Sequence, residues 1–353
     1  MKLKEILKKV VEEQGSDLHL RANSIPRVRI DGQLYDMEGY IPQEAEMKQF
    51  LYEMLTKSQI EQFERFRDLD FSFSIEGLCR IRANLFSQRG VFCAAIRVIP
   101  THIPTVEEIY LPKIVNQFLT LNKGLVLVTG PTGCGKSTTL AAMVDYINKK
   151  RRSHIVTIED PIEYIFEDKL STVSQREIPF DSRSFKAALR HVFRQDPDIV
   201  MIGEMRDLET MQIALTLAET GHLTFSTLHT SDSSETINRI IDSFPPHQQP
   251  QVRMQLMVSL EGIISQQLLP LKGKRGRVAA REVLICNRAI KNLIREGKTH
   301  QINSAIQTGA DEGMITMSYS LGVLYEKGMI SYETAMNSSW DKKAFVAKYP
   351  KDE

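Results

Sequence analysis

Residues 124–138, GLVLVTGPTGCGKST, constrain the fold more than any other stretch of the chain. GLVLVTG is apolar at successive positions, not alternate ones, so a strand built from it is buried on both faces. It runs into a turn with glycines at 130, 133 and 135, and STTLAAMVDYINKK follows as a helix. The turn satisfies G-x-x-x-x-G-K-[ST] at each required position and in the required strand-to-helix context. Its glycines let successive N–H groups curl inward onto phosphate oxygens, and the positive end of the next helix adds to that field. The expected nucleotide-binding residues are Gly130, Pro131, Thr132, Gly133, Cys134, Gly135, Lys136, Ser137 and Thr138. Lys136 would reach the β- and γ-phosphates of a nucleoside triphosphate, and the Ser137 hydroxyl would ligate Mg²⁺.

HIVTIED, DIVMIGE and LTFSTLH repeat the pattern of an apolar strand with a polar end, with helical stretches between them. This predicts a parallel sheet covered on both faces, with the carboxyl ends of its strands on one rim beside the phosphate loop. Binding a triphosphate does not hydrolyse it. Hydrolysis needs a group that orients or deprotonates water in line with the γ-phosphate. Glu204 follows the strand Ile199–Ile202 and is the candidate. Glu159, Asp160 and Glu163 end the strand expected beside it. Carboxylates next to bound phosphate call for a cation, which points to Mg²⁺; one or two of them would otherwise only cap a following helix.

Histidines flank LTFSTL at both ends. His222 and His229 are seven positions apart, roughly 23 Å in an extended strand, and point to opposite faces, so they cannot share one metal ion. His229 ends its strand on the loop's rim, either to feel the γ-phosphate or the attacking water, or as a hydrogen-bonded structural histidine. His222 begins the strand at the other edge, where a structural role is the stronger reading of position alone.

At 353 residues the chain exceeds one compact core, which favours two domains. Residues 1–99 mix helix and strand signals, with Asp31-Gly32 as a hairpin turn, a helical stretch near 43–66, and three strands in FSFSI, CRIRANLF and VFCAAIRVI. Residues 100–112 carry three prolines and read as an extended linker. The core follows over 113–285. Short helices fill 286–353, with Gly328 as a helix cap and the end of the chain as a frayed helix and tail. In CRIRANLF, Arg80, Arg82 and Asn84 share one face, and Arg97 closes the next strand. Two readings stand: a solvated sheet face, or arginines that complete a nucleotide site. Arg190, Arg194 and Arg206 have weaker claims.

Lys and Arg total 45 against 44 acidic residues, so there is no general field for nucleic acid or an anionic membrane. Cys79, Cys93, Cys134 and Cys286 form no C-x-x-C pair, which speaks against structural zinc and for reduced thiols in the cytoplasm. No apolar run approaches the ~18 residues of a membrane span. The amphipathic stripe Leu3, Ile6, Leu7 and Val10, interleaved with acidic residues, reads as a folded helix and not a signal peptide.

SDLHL, RIRANLF, GPTGCGKSTT, TIEDPIEY, IGEMRDLET and AETGHLTFSTLHTSD, in this order, resemble the secretion-type hexameric ATPases, most closely the type IV pilus retraction (twitching motility) ATPases. The likeness runs to about residue 335. It implies a PAS-like α+β N-terminal domain and a RecA-like P-loop NTPase core with a helical C-terminal region, assembled as a homohexamer. It also implies ATP and Mg²⁺, a membrane-embedded platform protein as partner at the cytoplasmic face of the inner membrane, and pilin machinery beyond it. Within that likeness Arg80, Arg82 and Arg97 match arginines that approach the nucleotide. Glu163 matches a glutamate linked to Mg²⁺, Glu204 the catalytic acid, and His222 and His229 the two histidines of the family's histidine box. AIKNLIRE, 289–296, is similar to a segment needed for retraction, and on its own reads as an ordinary amphipathic helix with Lys291 and Arg295 exposed. Starting at the SDLHL domain and lacking a tetracysteine site favour retraction over extension ATPases. Cys134 and Lys291 depart from the serine and arginine common at those places. The competing expectations are an accessory retraction or extension ATPase of the same kind, a RecA-like nucleic-acid motor, and a nucleotide-dependent scaffold that does not hydrolyse.

Overall fold

Alternation sets the architecture of the first hundred residues. The computed structural model describes residues 3–13, 15–30, 32–99, 102–340 and 342–350. The chain divides into two compact units, Met1–His102 and Ile103–Glu353. The first holds six strands, β1 (Asp17–Arg21), β2 (Arg27–Ile30), β3 (Gln33–Asp36), β4 (Asp68–Ile75), β5 (Cys79–Gln88) and β6 (Val91–Ile99). They form one antiparallel sheet in the order β3-β2-β1-β6-β5-β4. Side chains one position apart leave opposite faces of a strand. Leu18, Leu20, Ile81, Ala83, Leu85 and Ile96 therefore turn one way and are buried. They pack against Ile6, Leu7 and Val10 from helix Leu3–Glu12, Met47 and Leu51 from helix Glu44–Tyr52, and Phe63 from helix Lys57–Phe66. Each such side chain taken fully out of water contributes about 1.5–3 kcal/mol.

The helical stretch near 43–66 is thus two helices, broken where Thr56 caps the second through a reciprocal bond with Gln59. In the expected hairpin turn, Gly32 adopts φ +87 between β2 and β3, and Asp31 lies outside the described residues.

The second unit is built on seven strands: β7 (Gly124–Thr129), β8 (His154–Glu159), β9 (Thr172–Glu177), β10 (Ile199–Ile202), β11 (Leu223–Leu228), β12 (Leu260–Pro270) and β13 (Arg277–Ile285). The order is β13-β12-β7-β11-β10-β8-β9, parallel throughout except for β13. All residues of β7, β10 and β11 are buried, as continuous apolar runs require of central parallel strands. Two apolar clusters cover the sheet. The hairpin β12–β13 is absent from the sequence reading, because apolar runs of that length do not separate strand from helix.

Beyond β13 the chain is helical. Gly328, at φ +65, ends helix Met317–Glu326 as expected. The last helix, Lys342–Lys348, is not frayed: Phe345 and Tyr349 are buried in a cluster with Leu321, Ile330 and Leu269. Aromatic burial holds what the charged flanks suggested was loose. Among the described residues no helix is long and apolar enough to cross a membrane.

Candidate active site

The strand order brings the chemistry together. The phosphate loop leaves β7, His229 follows β11, Glu204 follows β10, and Glu159 ends β8. These four strands are adjacent and parallel, so all four groups emerge on one rim. Because β11 lies between β7 and β10, His229 stands between the loop and Glu204. Its Nδ1 is 3.3 Å from Thr132 Oγ1 and 3.4 Å from Lys136 Nζ, and its Nε2 is 3.1 Å from Glu204 Oε1. Main-chain bonds fix the end of β10: Gly203 N–H donates to Ile158 O, and the Thr227 hydroxyl to Gly203 O.

Lys136 opens the helix Lys136–Lys150 and is buried. Its ammonium donates to the loop's own carbonyls, 2.8 Å to Gly130 O and 3.1 Å to Pro131 O. Burial pulls its pKa below the ordinary lysine value, while Cys134, Glu204 and Glu163 act the other way. Ser137 and Thr138 occupy the helix's first turn, and Thr138 Oγ1 lies 2.9 Å from the Tyr164 hydroxyl.

The three acids after β8 separate. Glu159 is buried and turned inward, where it accepts from Thr157 Oγ1 at 2.7 Å and Gln175 Nε2 at 3.1 Å. Burial raises its pKa to about 7 against those bonds. Glu163 is exposed and lies close enough for its charge to reach Lys136. Asp160 faces Arg206, 3.7 Å away. No helix follows β8 for any of them to cap; 160–171 is irregular up to β9.

Arg206 is the residue that sequence reasoning undervalued. Its Nε donates to Glu204 Oε2 at 2.8 Å, so both oxygens of Glu204 are engaged, one by His229 and one by Arg206. That bond raises the Arg206 pKa above its usual value. Its position two residues beyond Glu204, just after a strand end, was the available signal. Arg190 instead pairs with Glu209 on the helix surface.

His222 does not join this group. It precedes β11 at the opposite edge, where its Nδ1 lies 3.1 Å from Leu217 O and its ring meets Phe193 edge-on at 6.0 Å. Arg80, Arg82 and Arg97 stand in the N-terminal unit. Arg82 is opposite Arg97 in the β5–β6 ladder, on the face away from the helices, and Arg97 Nε donates to Asp17 Oδ1 at 2.8 Å. Arg80 lies two positions along from Arg82, with Nη1 3.4 Å from Ser74 Oγ.

Cys134 is buried and burial raises its thiol pKa, so the loop's odd residue is shielded from oxidants. A pocket of about 270 Å³ lies beside the loop, lined by Pro131, Thr132, Gly133, Cys134, Gln267 and Trp340, and none of these acids lines it. In helix Arg288–Glu296, Lys291 is half-buried and pairs with Glu261 at 3.2 Å, while Arg295 remains exposed.

Comparison with known proteins identifies the family. The type II/IV secretion system protein family matches residues 1–274. The type IV pilus retraction ATPase PilT of Pseudomonas aeruginosa is 46% identical over 95% of this chain and 97% of its own. A twitching motility protein of Neisseria gonorrhoeae is 43% identical over 88% of this chain and 83% of its own. The crystal structure of the pilus retraction motor PilT with bound ADP superposes with a TM-score of 0.89 at 48% identity, covering 98% of both chains. The chain therefore belongs to the type II/IV secretion system protein family, in its branch of type IV pilus retraction ATPases.

Proposed function

We propose that this chain is an ATP-hydrolysing motor that powers type IV pilus retraction, and that the rim of β7, β11, β10 and β8 is its hydrolytic site. The observation that carries the assignment is the path Thr132/Lys136–His229–Glu204–Arg206, which joins the phosphate loop to the strand-end acid through one histidine. On this reading the loop's N–H groups hold the phosphates, and Lys136 exchanges its contacts with Gly130 and Pro131 carbonyls for phosphate oxygens. Glu204 orients and deprotonates the attacking water. His229 and Arg206 fix the two carboxylate oxygens so that one face of the acid is presented to the loop.

The residues suit Mg²⁺. Ser137 hydroxyl and Glu163 carboxylate are hard oxygen donors. Among the described residues no three of His, Cys, Asp and Glu converge as a cage, which fits an ion held largely by nucleotide phosphates and water. Ser137 and Glu163 would hold the ion, which would supply positive charge against the phosphate groups. Asp160, committed to Arg206, and Glu159, turned inward, have weaker claims as ligands. The motor acts as a homohexamer against a platform protein at the inner face of the membrane, and pilin subunits leave the fibre base as the ring turns over ATP.

The test is Glu204→Gln. The variant should bind ATP with about the affinity of the parent yet release phosphate at least about 10²-fold more slowly. Parent-like phosphate release would remove Glu204 from the role. In cells, loss of the chain should leave excess pili and no twitching; bald cells would refute retraction.

A further inference from the structure

A buried cation lies behind the phosphate loop. Arg281 of β13 is 3% exposed, and among the described residues no carboxylate pairs with it. Burial lowers its pKa to about 10, so it remains charged at neutral pH. Its partners are neutral oxygens. Nε lies 3.4 Å from Gln266 Oε1, and Nη1 donates to Ile109 O at 2.9 Å and Tyr110 O at 3.3 Å. Gln266 stands directly across the β12–β13 ladder from Arg281 and is equally buried. Its Nε2 donates to Cys134 O at 2.8 Å, and its Oε1 accepts from Thr139 Oγ1 at 2.9 Å.

A charge withdrawn from water is costly unless it is fully engaged, so a buried arginine held only by carbonyls needs each of them. Here those oxygens come from two places distant in sequence. One is the underside of the phosphate loop, reached through Gln266. The other is the turn at 105–111, closed by Ile109 N–H to Thr105 O and Leu111 N–H to Val106 O, where Tyr110 takes φ +51. That turn is the last part of the segment leading from the N-terminal unit. Gln266 bonds both Cys134 O, within the loop, and Thr139, in the first turn of the helix after it, so a shift at either place is felt by its side chain.

We propose that Gln266 and Arg281 are positioning residues that couple nucleotide occupancy of the phosphate loop to the turn at 105–111. This rests on the loop's being the nucleotide site. Gln266 holds the loop directly, so its loss should weaken nucleotide binding and break the coupling together. Arg281 touches the loop only through Gln266, so its loss should break the coupling and leave binding nearly intact.

Hydrogen–deuterium exchange of the full chain, with and without ADP and Mg²⁺, tests this, with calorimetry reporting binding separately. In the parent protein ADP should change exchange at the Ile109, Tyr110 and Leu111 amides by at least about fivefold. Arg281→Met should bind ADP within about threefold of the parent and lose that response, and Arg281→Lys, which keeps a cation and a donor, should recover part of it. Gln266→Met should bind about tenfold more weakly and show no response; it tests the link from the other end where Arg281→Met does not fold. Either of two results overturns the coupling: ADP binds the parent and the three amides do not respond, or Arg281→Met responds as the parent does. Failure of the parent to bind ADP at all would instead overturn the nucleotide reading.

Discussion

Gly130 is where the geometry of the phosphate loop is least forgiving. It sits at φ +140, a conformation that side-chain-bearing residues rarely adopt. A Cβ placed there would lie 2.3 Å from Gln266 O and 2.7 Å from Cys134 Sγ. The carbonyl belongs to β12, which pairs with β13 at Gln266 and with β7 up to Ser265, so its retreat would disturb the sheet. The loop must move by about 1 Å, since ordinary contact begins near 3.4 Å. Gly130→Ala therefore combines backbone strain of about 1–3 kcal/mol with overpacking of about 1–3 kcal/mol. Gly133→Ala is the internal control. Its φ is +77, and no atom lies within 4 Å of its Cβ position. It should cost only the left-handed conformation, about 1–2 kcal/mol. Thermal unfolding of nucleotide-free protein separates the two, because nothing then touches Gly133. With roughly 2–4 °C lost per kcal/mol in a unit of this size, Gly130→Ala should fall clearly further than Gly133→Ala. ADP affinity should also fall, because the displaced loop no longer presents its N–H groups to phosphate in the same geometry. Equal destabilisation by the two substitutions would refute the claim that contact with β12 sets the loop's shape.

Glu282 is buried against the Ser233 N–H and hydroxyl, and burial nevertheless pushes its pKa up to about 6 from 4.5. A folded-state pKa above the unfolded one means stability is lost as pH rises from 4.5 through 6, on the order of 2 kcal/mol; Glu282→Gln should flatten that slope in Tm-against-pH curves, and parallel curves would refute it. Cys134 should resist alkylation in the native protein at neutral pH, and Cys134→Ser should keep turnover within about twofold; rapid labelling of native Cys134, read by mass spectrometry, would contradict the burial argument. His222→Ala should leave ADP affinity unchanged while lowering stability by about 1 kcal/mol, seen as a lower Tm, for its lost bond to Leu217 O. His229→Ala should instead slow phosphate release at least about tenfold with little loss of stability, since its side chain is 42% exposed. Matching effects of the two histidine variants on turnover would overturn their separation.

The parts of this site that the sequence made legible are those whose chemistry is local. A glycine-rich turn between an apolar strand and a helix can be read wherever it occurs, because strand, turn and helix are consecutive. Glu204 and His229 could likewise be placed on the rim, since each follows an apolar strand and parallel strands share one carboxyl edge. What could not be read is strand order. That β11 inserts between β7 and β10 follows from pairing across about a hundred residues, and this insertion is what sets His229 between Lys136 and Glu204. The three acids of TIEDPIEY are near neighbours in sequence, yet they go to the interior, to Arg206 and to solvent.

Arg281 and Gln266 show the limit most clearly. In RVAAREVLI an arginine amid apolar residues looks like a strand's solvated position, and in GIISQQLLP a glutamine looks like an ordinary polar one. Neither stands near a glycine-rich turn or at a strand end, the two places where a single sequence advertises chemistry. Their burial arises because β12 pairs with β7 on one side and β13 on the other, which carries both side chains under the loop. A polar residue in such a place is costly unless satisfied, so its partners are informative: the loop carbonyl at Cys134 on one side, the carbonyls of Ile109 and Tyr110 on the other. The residues proposed to grip phosphate could be named from a motif. Those that would relay the grip to the rest of the chain had to be found by asking where each buried N–H goes.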